Sequence, residues 1–520
     1  MRVAVIGQGY VGLTGAVALT QQGHHVTGIE QDPERLRVLD AGRAPVFEPG
    51  LPEQLAAAQA TGRLHFSGSV TETHRRTPFD IVLVTVGTPP ASDGSADLTQ
   101  VTAVLAEVLE LLPAPCVVLK STVPPGTSAV LAETYPGLRE RFAYNPEFLN
   151  QGSALDDWAV PARIVAGAWG EAGLRALREL YAGISAPWVE TTPSGAEMIK
   201  YASNAFLATK ISFANEVAGM CCGPDIDIDH VMQGVGFDPR IGHAFLQPGL
   251  GYGDSCLPKD TNALAHWAST AGLATPLLRA TIAVNDAQFG LAVQMLRTEL
   301  GDGPADGLAD AEIAVLGVRY EPWSDDLRAA PSRTVVPALL GQGARVRVWD
   351  PGTDTGTIAG LFPGARPASG LGEAVEGAHA AVVLTEWPQA IEADWRALAA
   401  VMYEPRLVID GKNCLSPERM AGLPVRYRSI GTRLPASAVA GGKPGATGRT
   451  RGGAEPAPAL ELALEPEPAL EPAPTPEPAR APTPEPEPAR APTPEPAPEP
   501  TTRRLPPEPP PPPPPALPDR

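Results

Sequence analysis

Cysteine is scarce in this chain: five thiols among 520 residues (Cys116, Cys221, Cys222, Cys256 and Cys414), odd in number and scattered. That excludes a disulfide-dense scaffold and offers no metal-ligand spacing, so reduced thiols and no metal site are expected. Excess positive charge is missing too. A formal net charge of −19 argues against nucleic acid or an anionic membrane as the main partner, since both demand clustered Lys and Arg. No apolar run approaches the ~20 residues of a membrane span. Met1-Arg2 passes straight into Val3-Ala4-Val5-Ile6, with no charged, apolar and small-residue leader ahead of it. The expectation is a cytoplasmic protein without a membrane partner.

What is present is alternation. Arg2 to Ile6, His25 to Ile29, Asp80 to Val86, Cys116 to Lys120 and Arg163 to Ala166 read as buried strands separated by helical stretches, the pattern of a parallel sheet covered on both faces. From Thr192 to Cys222 one long helix is expected, opened by Ser194-Gly-Ala-Glu197 with capping-box spacing. A second alternating set begins at Ile313 to Gly317 and continues through Val346 to Asp350, Ala381 to Leu384 and Leu407 to Asp410. The fold class read from this is α/β, with two Rossmann-like doubly wound domains bridged by a long central helix. Its divisions are a cofactor domain at 1–190, a central helical region at 191–300 for dimerisation and substrate, a second Rossmann-like domain at 301–432, and a tail at 433–520. The tail is Ala, Pro and Glu with a quasi-repeat starting at Arg480 and again at Arg490. It cannot bury enough apolar surface to offset its ordering entropy, so a disordered, polyproline-II-rich segment is expected. Such a tail either docks an aromatic-lined partner protein or is merely solvated.

Gly7-Gln-Gly9-Tyr10-Val11-Gly12 follows the first strand directly and opens a helix, the context of a dinucleotide fingerprint. Gly7 permits the tight turn, Gly9 lets backbone approach a pyrophosphate, and Gly12 lets helix touch strand. Glu30 ends the second strand about twenty residues on, where an acid holds the ribose hydroxyls and repels a 2′-phosphate, favouring NAD over NADP. Arg35 either approaches the adenosine ribose or is simply solvated. The later domain has Gly317 but no complete fingerprint, so its sheet serves a second nucleotide or folding alone.

In Gly251-Tyr-Gly-Asp-Ser-Cys256-Leu-Pro-Lys259-Asp260 a cation and an acid lie within four residues of one thiol. A nearby cation favours the thiolate. Taken alone, the motif fits an inert buried cysteine as well as a nucleophile. Lys200 and Asn204 stand at i and i+4 on one helix face; considered in isolation they read as a solvent-facing pair. Glu147, beside Phe148, reads as a partly desolvated carboxylate with a raised pKa.

These motifs, with Phe47-Glu-Pro-Gly-Leu51, Val86-Gly-Thr88-Pro89, Lys120-Ser-Thr122-Val-Pro-Pro-Gly-Thr127 and Asn145-Pro-Glu147-Phe148-Leu149 in the same order, resemble the UDP-glucose/GDP-mannose dehydrogenase family over about Met1 to Lys412. Pro161-Ala-Arg-Ile-Val-Ala-Gly167 looks more like its UDP-glucose branch. The resemblance implies a four-electron oxidation of UDP-glucose to UDP-glucuronate with two NAD⁺ in turn, through a thiohemiacetal and a thioester on Cys256. It also implies alkoxide stabilisation by Lys200 and Asn204, water orientation by Asp260 and Thr122, and Glu147 as base for hydrolysis. Tyr10, Val11, Thr88, Thr122, Gln151, Lys259 and Arg328 match cofactor positions. Phe148, Leu149, Asn150, Gln151, Phe245, Leu246, Gly249, Gly253 and Glu321 match substrate positions. Arg240 matches an arginine that crosses a homodimer interface to the substrate, or else pairs locally with Asp238.

Three residues depart from the family pattern. Gln151 stands where a second glutamate is usual, Asp254 replaces a glycine beside the thiol, and Glu321 replaces a lysine that meets the substrate. They leave open a dehydrogenase for GDP-mannose or another nucleotide sugar, and a catalytically weakened binding or scaffold protein.

Overall fold

The computed structural model describes residues 1–221, 226–253, 256–300, 308–322, 327 and 330–431. Cys222, Asp254, Ser255, Arg328 and the Pro-rich segment 433–520 lie outside the described residues.

Arg2–Ile6 (β1), His25–Ile29 (β2), Leu64–Ser67 (β3), Ile81–Val84 (β4), Cys116–Leu119 (β5), Phe142–Tyr144 (β6), Ile164–Ala168 (β7) and Trp188–Thr191 (β8) form one sheet in the order β3-β2-β1-β4-β5-β6-β7-β8. Every residue of β4 is buried, as the continuous apolar run requires when helices cover both faces. Two strands depart from the parallel sheet read from sequence, β7 and, parallel to it, β8. β7 runs antiparallel to β6, pairing Ala143 with Ala168 and Tyr144 with Gly167. The short helix Ala154–Ala159 between them packs on the first helix, Tyr10–Gln21, with the Trp158 ring against Gly15, and the chain re-enters the sheet reversed.

Glu312–Leu316 (β9), Arg345–Trp349 (β10), Arg366–Pro367 (β11), Ala380–Val383 (β12), Leu407–Asp410 (β13) and Arg426–Ser429 (β14) form a second, parallel sheet in the order β11-β10-β9-β12-β13-β14. Both sheets therefore reverse their strand order beside the first strand of the domain, the crevice where doubly wound folds bind ligands. The chain is α/β with two Rossmann-like domains and a long central helix, Pro193–Met220, between them in sequence. Among the described residues, no helix is long and apolar enough to cross a membrane.

The central helix starts differently from the capping box read in the sequence. Its cap is Thr192, whose side chain accepts from the Gly195 N–H, and Pro193 occupies the first turn, where its missing N–H costs nothing. Glu197 turns away and is fully buried. It accepts from the backbone N–H groups of Gly126 (2.6 Å) and Ser128 (2.8 Å) and from the Ser128 hydroxyl (2.5 Å), capping the helix Thr127–Thr134. A carboxyl from one element thus satisfies the orphan donors of another.

Burial pushes the Glu197 carboxyl up to about 7, against the pull of those donors. A group whose pKa is raised on folding stabilises the protein fully below its unfolded value and loses that contribution as pH rises through the folded one. Thermal denaturation should therefore show stability falling between about pH 4.5 and 7, by on the order of 3 kcal/mol from this group. Glu197→Gln should flatten that slope; an equal slope in the variant would remove Glu197 as its source.

Candidate active site

The end of β1 carries the glycine turn into the first helix. Gly7 has φ +91°, a conformation that side chains rarely adopt. A Cβ at Gly12 would stand 1.9 Å from the Gly7 carbonyl oxygen, so only glycine lets the helix approach the turn. At Gly9 nothing lies within 4 Å of where a Cβ would be. Gly9, Tyr10 and Val11 open there onto a cavity of about 590 Å³, further lined by Thr88, Thr122, Gln151, Cys256, Lys259 and Asp260. A helix N-terminus with an open glycine in front of it suits a pyrophosphate, and the cavity is of ligand size, so these residues fit a dinucleotide.

Glu30 sits at the end of β2, where it accepts from the N–H groups of Gln8 (3.3 Å) and Asp32 (3.0 Å). Arg35 lies 3.6 Å from its carboxylate and donates to the Gln8 carbonyl at 2.9 Å, so it buttresses Glu30. The Tyr10 hydroxyl donates to Glu48 (2.5 Å), which also accepts from the N–H groups of Gly152 and Ala154, fastening the loop that carries Gln151 to the first helix. Thr88 donates to the Thr122 carbonyl at 2.8 Å.

A second cavity of about 250 Å³ lies behind the same wall and contains Glu147, Phe148, Leu149, Asn150, Lys200, Asn204 and Phe245 in its lining. Glu147 lines both cavities. Lys200 and Asn204, a solvent-facing pair only when the helix is considered in isolation, are buried, because this face of the central helix packs on the sheet and on the helix Cys256–Thr270. Lys200 Nζ is 2.8 Å from Glu147 Oε1, and the Leu149 N–H donates to Glu147 Oε2 at 2.8 Å. Asn204 Nδ2 donates to Asp260 Oδ2 at 2.6 Å, and Lys259 pairs with the other oxygen of Asp260.

The raised pKa read for Glu147 is overturned. Burial alone would raise it, but Lys200, the Leu149 N–H and Lys120 together hold the carboxyl below its usual range. Burial would likewise lower Lys200, yet Glu147, Asp260 and Cys256 hold its ammonium above the usual value. Cys256 thus lies within electrostatic reach of a cation, and it is the first residue of its helix, where the helix dipole also favours negative charge.

Other expected positions fall outside these two linings. Arg240 is exposed and held 2.6 Å from Asp238, the local pairing rather than a reach into the protomer's own site. Leu246 is core, and the Gly249 N–H donates to Asn215 Oδ1 at 2.8 Å. Gly253 is buried beside Tyr320. Glu321 acts on Lys412, which bonds the Tyr320 carbonyl at 2.9 Å and Glu386 at 3.1 Å. Arg319 donates to Thr353 Oγ1 at 3.1 Å and lies 3.8 Å from Asp350. Sequence reasoning passed over Lys120, Asn145, Trp158, Arg163 and Tyr181, all in the smaller lining. Lys120 alone carried a signal, a lysine directly ending an apolar strand.

The second domain repeats the layout with a different outcome. Asp350 follows β10 as Glu30 follows β2, but its carboxylate accepts from the N–H groups of Val318 (2.8 Å), Arg319 (3.3 Å) and Gly352 (2.9 Å) and from Trp387 Nε1 (3.1 Å). An acid consumed by its own chain has little left for a ribose.

One dinucleotide crevice, a second Rossmann-like sheet without one, and a thiol beside buried Lys, Asn and Asp describe an NAD-dependent dehydrogenase of nucleotide sugars. Residues 1–185 match the NAD binding domain of the UDP-glucose/GDP-mannose dehydrogenase family, 194–287 its central domain and 314–417 its UDP binding domain, and the chain belongs to this family. It is 41% identical to a UDP-glucose 6-dehydrogenase of Pseudomonas aeruginosa, over 83% of this chain and 97% of that protein. A UDP-glucose 6-dehydrogenase of Bacillus subtilis is 38% identical, over 84% and 100%. Among solved structures, a UDP-glucose dehydrogenase from Pyrobaculum islandicum superposes with a TM-score of 0.74 at 36% identity, covering 83% of this chain and 97% of that one. A UDP-D-ManNAc dehydrogenase from Pyrococcus horikoshii gives 0.72 at 26%, covering 83% and 99%.

Glu30→Ala should weaken NAD⁺ and narrow its advantage over NADP⁺ by on the order of 10-fold, the worth of a charged hydrogen bond. Titrating both cofactors by tryptophan fluorescence checks this; an unchanged ratio would relieve Glu30 of the ribose.

Proposed function

We propose that this chain oxidises the C6 primary alcohol of UDP-glucose to the carboxylate of UDP-glucuronate, with a covalent intermediate on Cys256. The observation that carries it is the meeting of two cavities at Glu147, with the thiol on the wall of the larger and Lys200 on that of the smaller. Bound NAD⁺ supplies a hydride acceptor, and four electrons require two in succession. The reading divides the chain into the cofactor domain, central region and UDP-binding domain described above.

In this route Lys200 and Asn204 hold the sugar oxygen and stabilise the alkoxide left when its proton passes to solvent; the C6 hydride then leaves. The Cys256 sulfur adds to the resulting aldehyde carbon, giving a thiohemiacetal, and loss of a second hydride leaves a thioester. Thr122 and Asp260 orient water, which Glu147, ionised beside its cations, deprotonates for attack on the acyl carbon. Phe148, Leu149, Asn150 and Phe245 enclose the substrate, while Gly249, Gly253 and Leu246 shape the loop behind it. Glu321 is assigned to the substrate and Arg328 to the cofactor. Because the aldehyde stays bound, it never meets solvent.

The protomer also exposes Phe206, Phe213 and Met220, spaced by seven along one face of the central helix. Two turns apart, they form an apolar stripe suited to a second copy. We assign this stripe to a homodimer, from which Arg240 can reach the neighbouring site. Reduced thiols suit a cytoplasmic setting, and the composition of 433–520 suits docking to an aromatic-lined partner protein.

Purified protein with UDP-glucose and excess NAD⁺ should form about two NADH per sugar nucleotide, and Cys256→Ser should stall. NADH from a different nucleotide sugar alone would change the substrate and keep the class; none from any would return the chain to a weakened binding protein. For the dimer, Phe213→Glu should halve the mass seen by light scattering, and an unchanged mass would discard the stripe.

A further inference from the structure

Lys120 has no part in the route above, yet with Glu147 it lines both cavities. It directly follows β5 and is buried. Its ammonium donates to Asn145 Oδ1 at 3.0 Å and to the Tyr181 hydroxyl at 3.1 Å, with the Asn145 and Pro146 carbonyls at 3.5 Å. The Trp158 ring lies beneath it, 4.7 Å to the centroid. Tyr181 in turn donates to Asn145 Oδ1 at 2.6 Å, and Asn145 Nδ2 to the Val165 carbonyl at 2.8 Å, so the three side chains lock one another.

All these partners are neutral. A buried cation compensated by neutral groups is costly, and hydrophobic packing would serve a purely structural post better. The charged groups acting on it are Glu147 and Lys200, from the turn after β6 and from the central helix; burial draws Lys120 down to about 7, while Glu147 draws it up. Asn145 is two residues before Glu147 on that turn. In the proposed route Lys200 serves the sugar oxygen as well as Glu147, whereas Lys120 has no such second duty.

We propose that Lys120 is a positioning residue for acid release: from the wall shared by the two cavities it fixes the Asn145-Pro146-Glu147 turn and gives Glu147 a second positive neighbour. The inference rests on the reading of Glu147 as the hydrolytic base. In that step the water oxygen bonds to the acyl carbon and its proton passes to Glu147. The carbon–sulfur bond then breaks, returning its electron pair to Cys256, and the product acid loses its remaining proton to solvent.

The test pairs Lys120→Met with Lys120→Gln, the second keeping a hydrogen-bond donor without the charge. Difference infrared titration, with Glu147→Gln identifying the band, should place the Glu147 midpoint about one pH unit higher in both variants, the effect of removing a nearby opposite charge. A higher midpoint leaves Glu147 ionised at neutral pH and a stronger base, so the loss comes from the unanchored turn. Turnover should fall at least about 10-fold in Lys120→Met and less in Lys120→Gln, with KM for UDP-glucose within about 3-fold and an acyl group accumulating on Cys256 in the intact mass. An unmoved Glu147 midpoint overturns the inference whatever happens to turnover. A moved midpoint without acylated Cys256 overturns the part in release. Native protein that forms no NADH sinks the underlying route instead, and the titration, which needs no turnover, still decides whether Lys120 acts on Glu147.

Discussion

The ion pair between Glu147 and Lys200 is the contact on which the site's geometry depends. It joins the turn after β6 to the second helical turn of Pro193–Met220, with both groups buried and 2.8 Å apart. Removing two charges from water is expensive, and a pair survives in such a place only when further hydrogen bonds complete it. The Leu149 N–H supplies one, and Lys120 adds charge. Losing either partner would strand the other at a cost of roughly 3–5 kcal/mol. So the pair fixes how the central helix meets the sheet, and thereby where Asn204 stands.

From Asn204 the constraint passes to Asp260 and so to the helix that begins at Cys256. Ammonium and amide come from the central helix, thiol and one carboxylate from the helix Cys256–Thr270, and Glu147 from the turn after β6, with short bonds joining Lys200 to Glu147 and Asn204 to Asp260. Buried groups bonded in this way keep one arrangement, the condition under which fixed dipoles act without reorganising. The same logic separates the two Rossmann-like sheets. Glu30 accepts two backbone donors, whereas Asp350 is closed in by four donors of its own domain.

Much of this was legible in one dimension. Gly7, Gly9 and Gly12 declare their turn because glycine is required by local sterics, and the strand runs declare the sheets because burial on both faces leaves an unbroken apolar string. The order of motifs from the glycine turn to Asp260 pointed to the family. Other features were hidden because they are long-range. The reversal of β7 follows from how the chain after β6 packs on the first helix. Glu197 has the spacing of a cap for its own helix and caps a different one. Glu147 looked like an isolated carboxylate until Lys200 was placed beside it.

The sequence by itself determined the fold class, the dinucleotide turn and the identity of the Cys256 thiol's neighbours up to Asp260, since each depends on adjacent residues or on periodicity. Only the tertiary structure decided which charges are paired, that Lys200 and Asn204 are buried, and that Lys120 stands between two cavities. Burial and electrostatic partnership are properties of surfaces brought together by folding, and no spacing along the chain encodes the distance between them.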